Sequence, residues 1–538
     1  MQHPFHQTTR SKRTNAFILI ALCLSVFMST FDTTVVATAL PRLASDLHAM
    51  DTVSGVITAF LLAFSIGQPI FGKLSDIFGR KTMYLISLIL FFIGSALCGA
   101  SVTIVMLVAA RAVQGLGASS LTNLAMIIIA DIYSVREAGK YIGLICIVAA
   151  VGTVVGPLAG GALVDKLSWR WVFLIQLPFC LLPIILLAVF LRIPSTLDQT
   201  NTRPSLRRSL RRVDFVGSLA FAAAISCILL ATQWGGHEYS WSSSQIVGLY
   251  ICGGILVCVF LCVETKWTQE PVVPLSMFRL RNVWLSSVMN VFVGALFFGL
   301  IFFIPIYFQA AMGDSATKSG TRLISYMASL CVVAAISGAI VAETGRYRVQ
   351  IWFGSALTTV GSCLLLLWWK SDANATSPAM QICFPMITGI GLGMLVQTTI
   401  TSTQSQLPLT DLAAGTSMAN LLRTMGGTIG VAIKSAIVSN SLRTNILNSP
   451  GAGSIENIDN LVKIAVDGVG AIETLPPDQK AIVLAAYVKA LHGAFLVFVP
   501  CAVIVFVGGL FLKHAVLSTS TTATTPAASG DSVDEVKV

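Results

Sequence analysis

Two opposite charges lie inside long apolar stretches of this chain. Asp32 belongs to the first such stretch and Arg111 to the fourth. Charged side chains within apolar membrane segments are costly and tend to be functional. Burial favours the protonated form of a carboxylate, whereas a nearby cation favours the ionised form. The residues therefore predict a coupling proton bound by Asp32 and modulated by Arg111. A static ion pair between two helices is the alternative.

Helix geometry predicts that the two side chains lie at similar depths. Asp32 stands seven residues from the outer end of its stretch and Arg111 nine from the outer end of its own. At the rise of an α-helix these separations are roughly 10 and 14 Å below one membrane face. We therefore expect Asp32 and Arg111 to meet.

Composition indicates an integral membrane protein. Hydrophobic residues make up 55% of the chain, charged residues 11%, and the mean hydropathy is +0.82. Apolar stretches long enough to cross a bilayer occur as a set of six, then two, then six. The expected fold is all-α, with two six-helix bundles, two additional central helices and fourteen spans.

The spans divide the chain into five parts. These are a cytoplasmic tail (1–15), an N-terminal bundle (16–191), a basic linker with two extra helices (192–282), a C-terminal bundle (283–512) with a long outer loop (440–488), and a disordered cytoplasmic tail (513–538). Lys and Arg concentrate in loops on one side, which is the cytoplasmic side. We assign the net charge of +10 to those loops and to anionic lipid, not to nucleic acid. Asn374 forms a glycosylation sequon in an outward loop.

A compact charged segment separates the second and third stretches. Its sequence, GKLSDIFGRK, contains Gly72, Asp76, Gly79, Arg80 and Lys81. We expect a short cytoplasmic loop that latches the outward-facing state, in which Asp76 accepts hydrogen bonds from a facing helix N-terminus and pairs with arginines.

The second half of the chain repeats part of this segment. Gly338, Gly345 and Arg346 have the spacing of Gly72, Gly79 and Arg80, while Ala342 stands at the position of Asp76. Two halves related by repetition are typical of a carrier with a central site.

The fifth stretch carries a second glycine pattern. Gly152, Gly156 and Gly160 recur every four residues, with Pro157 and Gly161 beside them. Such glycines let a neighbouring helix approach closely, and the proline bends the helix.

No motif for ATP, a nucleotide cofactor or a metal is present, so the sequence favours a carrier driven by an ion gradient, without a cofactor and without enzymatic activity. The substrate-binding candidates are polar residues within the spans: Gln114, Asn290, Gln309, Gln397 and Arg423. Because buried carboxylates are scarce, a neutral or weakly anionic small molecule is expected.

Together these segments resemble the major facilitator superfamily, in particular its fourteen-span drug:proton antiporter branch in fungi. The resemblance rests on residues 31–41, the loop 72–81, residues 111–117, the glycine stripe 152–161 as the antiporter motif, and residues 169–178, where Gln176 replaces the usual Asn. The resemblance implies a monomer that works by alternating access and uses protons to export a secondary metabolite, toxin or drug. It also implies a location in the plasma membrane, with the vacuolar membrane as the alternative.

Three other functions remain open at this point. Related fourteen-span carriers take basic amino acids into the vacuole or import siderophores, and some transporter folds act as nutrient sensors. Scarce buried acids disfavour the first. The outer loops lack the extra polar or histidine-rich character expected of the second, and the chain lacks the large signalling extension expected of the third.

Overall fold

The structure is a computed structural model. It describes residues 12–47, 54–133, 135–191, 214–235, 239–266, 275–314, 316–370, 377–407, 412–449 and 476–513, with residues 458, 461, 462 and 465. Asn374 lies outside the described residues, as do most of the basic linker and both chain ends.

The N-terminal half consists of seven helices that form six crossings. They are α1 (Lys12–Asp46), α2 (Ser54–Phe78), α3 (Arg80–Gly99), α4 (Ile104–Ile132), α5 (Val135–Lys166), α6 (Trp171–Leu174) and α7 (Gln176–Phe190). The short α6 continues directly into α7, so the two together make one crossing. Side chains from these helices form a common apolar core that includes Leu22, Phe91 and Leu124.

The remaining helices form the central pair and the C-terminal half. The central pair is α8 (Phe215–Trp234) and α9 (Ser244–Lys266). The C-terminal half contains α10 (Arg281–Met312), α11 (Ala316–Thr344), α12 (Tyr347–Leu366), α13 (Pro378–Gln404), α14 (Leu412–Leu447), α15 (Pro477–Leu496) and α16 (Phe498–Leu510). Short 3-10 segments occupy Leu275–Arg279 and Leu367–Lys370.

The number of long helices is consistent with the fourteen predicted spans. Within the described residues, 13 helical segments are long and apolar enough to cross a membrane, and α15 with α16 forms one of them. The remaining crossing is α5, whose 32 residues include an apolar part at Tyr141–Thr153. The all-α, two-bundle fold is therefore confirmed.

The two halves meet through two pairs of helices. Helix α2 packs against α14, and α5 packs against α11. Gly143 of α5 faces Ala335 of α11 so closely that a methyl group on Gly143 would lie 3.1 Å from the Ala335 side chain. Helices α8 and α9 pack on each other, and α8 also contacts α2 and α14. The additional pair therefore covers one side of the α2–α14 contact.

Helices extend further than hydropathy predicts at two places. The expected loop at 72–81 is almost entirely helical, because α2 runs to Phe78 and α3 begins at Arg80. The expected outer loop at 440–488 is shorter, because α14 continues to Leu447 and α15 begins at Pro477. Helical hydrogen bonds continue past the membrane edge into polar residues, where the apolar pattern has already ended.

Gly79 makes the turn between α2 and α3. Its φ of 92° lies in the region that side chains other than glycine rarely adopt. Gly345, the matching glycine in the second half, has a φ of 68° between α11 and α12. The predicted repeat thus extends to the backbone, since the same glycine position turns the chain sharply in each half.

Candidate functional site

Asp32 and Arg111 form an ion pair in the interior of the N-terminal half. Asp32 lies on α1 and Arg111 on α4, and both side chains are almost completely buried. The distance from Arg111 Nη1 to Asp32 Oδ2 is 2.6 Å. The contact predicted from helix depths is therefore present in the structure, whereas the role of Asp32 in proton binding stays a prediction.

Two glutamine amides complete the coordination of the Asp32 carboxylate. Gln114 Nε2 donates to Asp32 Oδ1 at 3.0 Å, and Gln176 Nε2 donates to the same oxygen at 2.8 Å. Gln114 Oε1 accepts a hydrogen bond of 2.6 Å from Arg111, and its amide also donates to Ser95 at 2.8 Å. Four helices, α1, α3, α4 and α7, thus contribute to one hydrogen-bonded cluster.

Apolar side chains enclose the Arg111 guanidinium. Its central carbon lies 4.1 Å from the ring centre of Phe60 and 5.8 Å from that of Phe173. Arg111 Nε donates to the carbonyl of Val56 at 3.4 Å. Aromatic faces stabilise a cation in a site from which water is excluded. The Arg111 guanidinium therefore lies in a closed environment, with the Asp32 carboxylate as its ion-pair partner.

Gln114 belongs to the Asp32 cluster. Its amide donates to Asp32 and Ser95 and its oxygen accepts from Arg111, while its expected contact with substrate stays a prediction. These groups are saturated by the Asp32 cluster. Sequence reasoning did not select Gln176 as a site residue, although its replacement of the usual Asn was the available signal.

The end of α2, the start of α3 and the end of α4 meet at Arg80. This side chain contacts Asp76 at 2.9 Å and Asp131 at 2.7 Å, so it joins the end of α2 to the end of α4. The predicted pairing of Asp76 with an arginine is present. Among the described residues, no helix N-terminus donates the predicted hydrogen bond to Asp76. The recorded charged partner of Asp76 is the side chain of Arg80, on the next helix.

Asp131 is an ion-pair partner of Arg80 that the sequence reasoning missed. It is the acid at the cytoplasmic end of the fourth stretch, and that position was the available signal. Burial raises the pKa of the Asp131 carboxyl, while Arg80 opposes the rise. Asp131 therefore takes up a proton, and weakens its contact with Arg80, at a higher pH than an ordinary aspartate would.

Lys81 connects α3 to α7, because its ammonium donates a hydrogen bond of 2.6 Å to the carbonyl of Ala188.

The glycine stripe of α5 lies against α1 on both sides of Asp32. A methyl group added to Gly152 would lie 2.3 Å from Thr30 Oγ1, and one added to Gly156 would lie 2.0 Å from Thr34 Oγ1. Both distances are far below van der Waals contact. Close packing of α5 was predicted, and these two glycines provide it. Pro157, Gly160 and Gly161 lie within the same helix, further toward its C-terminal end.

A second polar cluster lies in the C-terminal half. Arg423 Nη1 donates to the carbonyl of Val396 at 3.1 Å, and Nη2 donates to Asn420 Oδ1. Asn290 accepts a hydrogen bond of 3.1 Å from Thr399, and its amide donates to the carbonyl of Ser286 at 2.8 Å.

The remaining candidates, Gln397 and Gln309, have different positions. Gln397 follows Val396 on α13 and is therefore near Arg423, and its Oε1 has no hydrogen-bond partner. Gln309 donates to Ser319 at 2.9 Å, and its position on α10 is about 28 Å of helix rise from Asn290. The structure therefore brings Asn290, Gln397 and Arg423 into one half of the bundle interior and separates Gln309 from them.

A family model described as Major Facilitator Superfamily matches residues 22–431, which is most of the chain. The chain belongs to the major facilitator superfamily. An MFS-type efflux pump of Arthroderma benhamiae, MFS1, is 32% identical over 93% of this chain and 91% of that protein. The efflux pump roqT of Penicillium rubens is 32% identical over 92% of this chain and 90% of that protein.

Solved structures support the same fold. The crystal structure of the human organic anion transporter MFSD10 aligns with a TM-score of 0.56, at 12% identity, over 93% of this chain and 99% of that chain. At this identity the likeness concerns the fold alone. The chain is thus a multi-pass membrane transporter of the superfamily and not an enzyme, and it takes a small-molecule substrate.

Proposed function

We propose that this transporter is a proton-coupled antiporter that exports a small amphiphilic organic compound by alternating access. The observation that carries the proposal is the buried Asp32–Arg111 pair, with a distance of 2.6 Å between the charged atoms. A proton on Asp32 would cancel its charge, weaken the pair and leave Arg111 without a counter-ion. Since an unpaired buried charge is costly, protonation would favour a rearrangement of the helices that hold the pair.

The close packing of α5 on the helix that carries Asp32 supports coupling. Gly152 and Gly156 of α5 pack on Thr30 and Thr34 of α1, which lie two positions before and after Asp32 in the chain. A movement of α1 against α4 would therefore displace α5, which also packs against α11 of the other half.

The contacts between the halves support an outward-facing state. Gln68 of α2 donates to Thr424 of α14 at 3.5 Å, and Gly143 of α5 packs on Ala335 of α11. All four residues are nearer to the cytoplasmic end of their helices than to the outer end. Arg80, Asp76 and Asp131 lie on the same side, where we propose that they act as the conformational gate.

Export is supported by the relatives named efflux pumps, and the proposed cargo is a fungal secondary metabolite, toxin or drug. We further propose a monomer in the plasma membrane. A basic substrate fits less well, because Arg423 places a positive charge at the interface of the halves and the described residues near it include no carboxylate.

The proposal has a two-stage test. A deletion strain is first compared with its parent against a panel of toxic compounds, while a tagged copy is imaged to locate the protein. A compound that accumulates more in the deletion strain is then measured for uptake into inside-out vesicles with an acidic interior. We expect the pH gradient to stimulate uptake by the wild-type protein and not by Asp32→Asn.

The matched control is Glu343→Gln, an exposed acid at the cytoplasmic end of α11. It should respond to the gradient like the wild type. Gradient-stimulated uptake by Asp32→Asn would contradict the coupling role, and a deletion strain that accumulates no compound would contradict export.

A further inference from the structure

The charge of Arg423 is not balanced by an acid. Its two recorded hydrogen bonds go to the carbonyl of Val396 and to the side chain of Asn420, which are both neutral. Within the described part of the chain, no carboxylate forms an ion pair with it. An arginine stays protonated in proteins and carries five N–H donors, so the guanidinium retains both its charge and spare hydrogen-bonding capacity.

The amides around Arg423 also have unused hydrogen-bonding groups. Gln68 Oε1, Gln397 Oε1 and Asn420 Nδ2 are buried without a partner. Asn420 contacts Arg423 directly, Gln397 follows the Val396 carbonyl that Arg423 binds, and Gln68 contacts the adjacent Thr424. Buried polar groups without partners are uncommon, and several around one cation indicate a site that a polar ligand completes.

The Arg423 cluster contrasts with the Asp32 cluster. Arg111 is buried and paired, whereas Arg423 is partly exposed. The Arg423 segment of α14 also meets the other half of the transporter, since Gln68 of α2 donates to Thr424, the residue that follows Arg423. A carrier binds its substrate at the interface of its two halves.

Lys434 is the other buried cation of the C-terminal half, and it is unsuited to this role. Its ammonium donates to the carbonyl of Ala295 at 2.8 Å, lies 4.3 Å from the ring centre of Phe498, and is fully buried. A ligand could reach it only after these helices separate, whereas the Arg423 side chain is already accessible.

We infer that Arg423, with Gln68, Gln397 and Asn420, binds the substrate, and that the substrate is an amphiphilic organic acid whose carboxylate contacts Arg423. This inference rests on the proposed export function and adds the charge of the cargo. A planar guanidinium binds a carboxylate through two parallel hydrogen bonds, which accounts for an arginine rather than a lysine at this position. Hydroxyl groups on the same compound would satisfy the two glutamine oxygens.

The test uses two fluorescent probes that differ in charge. Dansylglycine is an amphiphilic carboxylate at neutral pH, and dansylglycinamide is its neutral counterpart. Both are titrated into the purified full-length protein in lipid nanodiscs, and the ratio of the two dissociation constants is the readout. We expect the wild type to bind the acid at least about tenfold more tightly than the amide, because only the acid pairs with the guanidinium.

Three variants define the source of that preference. Arg423→Gln should remove the preference while leaving amide binding within about threefold of wild type, because it removes charge and keeps polarity. Arg423→Lys should keep part of the preference. Arg443→Gln, which changes an exposed arginine on the same helix, should behave like the wild type.

The outcomes separate the substrate class from the transport function. A wild type that binds both probes equally, or an Arg423→Gln protein that loses both equally, overturns the inference, since Arg423 would then be a structural residue. A wild type that prefers the acid, while the deletion strain accumulates no compound more than its parent does, supports the binding site and overturns the export function.

Discussion

The Asp32–Arg111 pair predicts a specific pattern in a double-mutant cycle. The variants are Asp32→Asn, Arg111→Met and the two combined. Each single change leaves one buried charge without its partner, which costs about 3–5 kcal/mol of stability. The attraction that is lost is of the same size, since two unit charges about 4 Å apart interact by about 4 kcal/mol at an effective dielectric constant of 20.

The contacts that the remaining charge retains determine which single variant is less stable. In Asp32→Asn, Arg111 retains Gln114 Oε1 and the ring of Phe60, so the cost lies at the lower end of that range. In Arg111→Met, the Asp32 carboxylate retains two amide donors, from Gln114 and Gln176. The double variant contains neither charge, and we expect it to be no less stable than either single variant, so the coupling is at least as large as the larger single cost, about 3–5 kcal/mol.

The assay is the midpoint of thermal unfolding of the detergent-solubilised proteins, measured at one heating rate because such unfolding is commonly irreversible. Both single variants should unfold several degrees below the wild type, and the double variant should unfold at or above the midpoint of the more stable of the two. A double variant whose decrease equals the sum of the single decreases would refute the reasoning, since the two charges would then act independently.

Three further predictions concern other parts of the structure. Gly156→Ala should lower the unfolding midpoint by the equivalent of about 1–3 kcal/mol, since its methyl group would lie 2.0 Å from a threonine oxygen. The control Gly248→Ala faces open space and should leave the midpoint unchanged. Equal midpoints for the two variants would count against close packing of α5. Asp131→Asn should slow transport in vesicles. It should cost less than about 1 kcal/mol of stability, because the contact of Asp131 with Arg80 is partly exposed. An unchanged transport rate would remove Asp131 from the proposed gate. Lys434→Met should keep or raise the unfolding midpoint, because an apolar chain of similar length replaces a buried ammonium that has no recorded carboxylate partner. A fall of several degrees would show that the contacts of Lys434 with Ala295 and Phe498 are stabilising.

The sequence predicted the fold and the central ion pair because both follow from simple rules. Span length is set by the thickness of the bilayer, and hydropathy identifies it. The meeting of Asp32 and Arg111 followed from helix rise and the known order of the crossings. Both arguments require only distances along the chain.

The remaining site residues depend on how the helices rotate about their axes. Gln114 and Gln176 lie on different helices, and nothing in the spacing of either shows that both amides point at one carboxylate. Asp131 likewise required knowledge that α4 ends beside Arg80. Gln309 was selected only because it is a polar residue within a span. Its position along α10 separates it from the cluster that contains Asn290 and Arg423.

The two halves divide the charges in a way that fits coupled exchange. The N-terminal half contains a paired cation and anion, so its net charge changes when Asp32 binds a proton. In the C-terminal half, the recorded partners of Arg423 among the described residues are neutral, so the proposed anionic compound would balance its charge. Helix α5 packs on both halves, since Gly156 packs on Thr34 of α1 and Gly143 packs on Ala335 of α11. If protonation of Asp32 changes the packing of α5, the α5–α11 contact changes with it, and the accessibility of Arg423 depends on the charge at Asp32. The same contact makes the effect reciprocal, because any ligand that alters the separation of the halves must alter the proton affinity of Asp32 by an equal free energy.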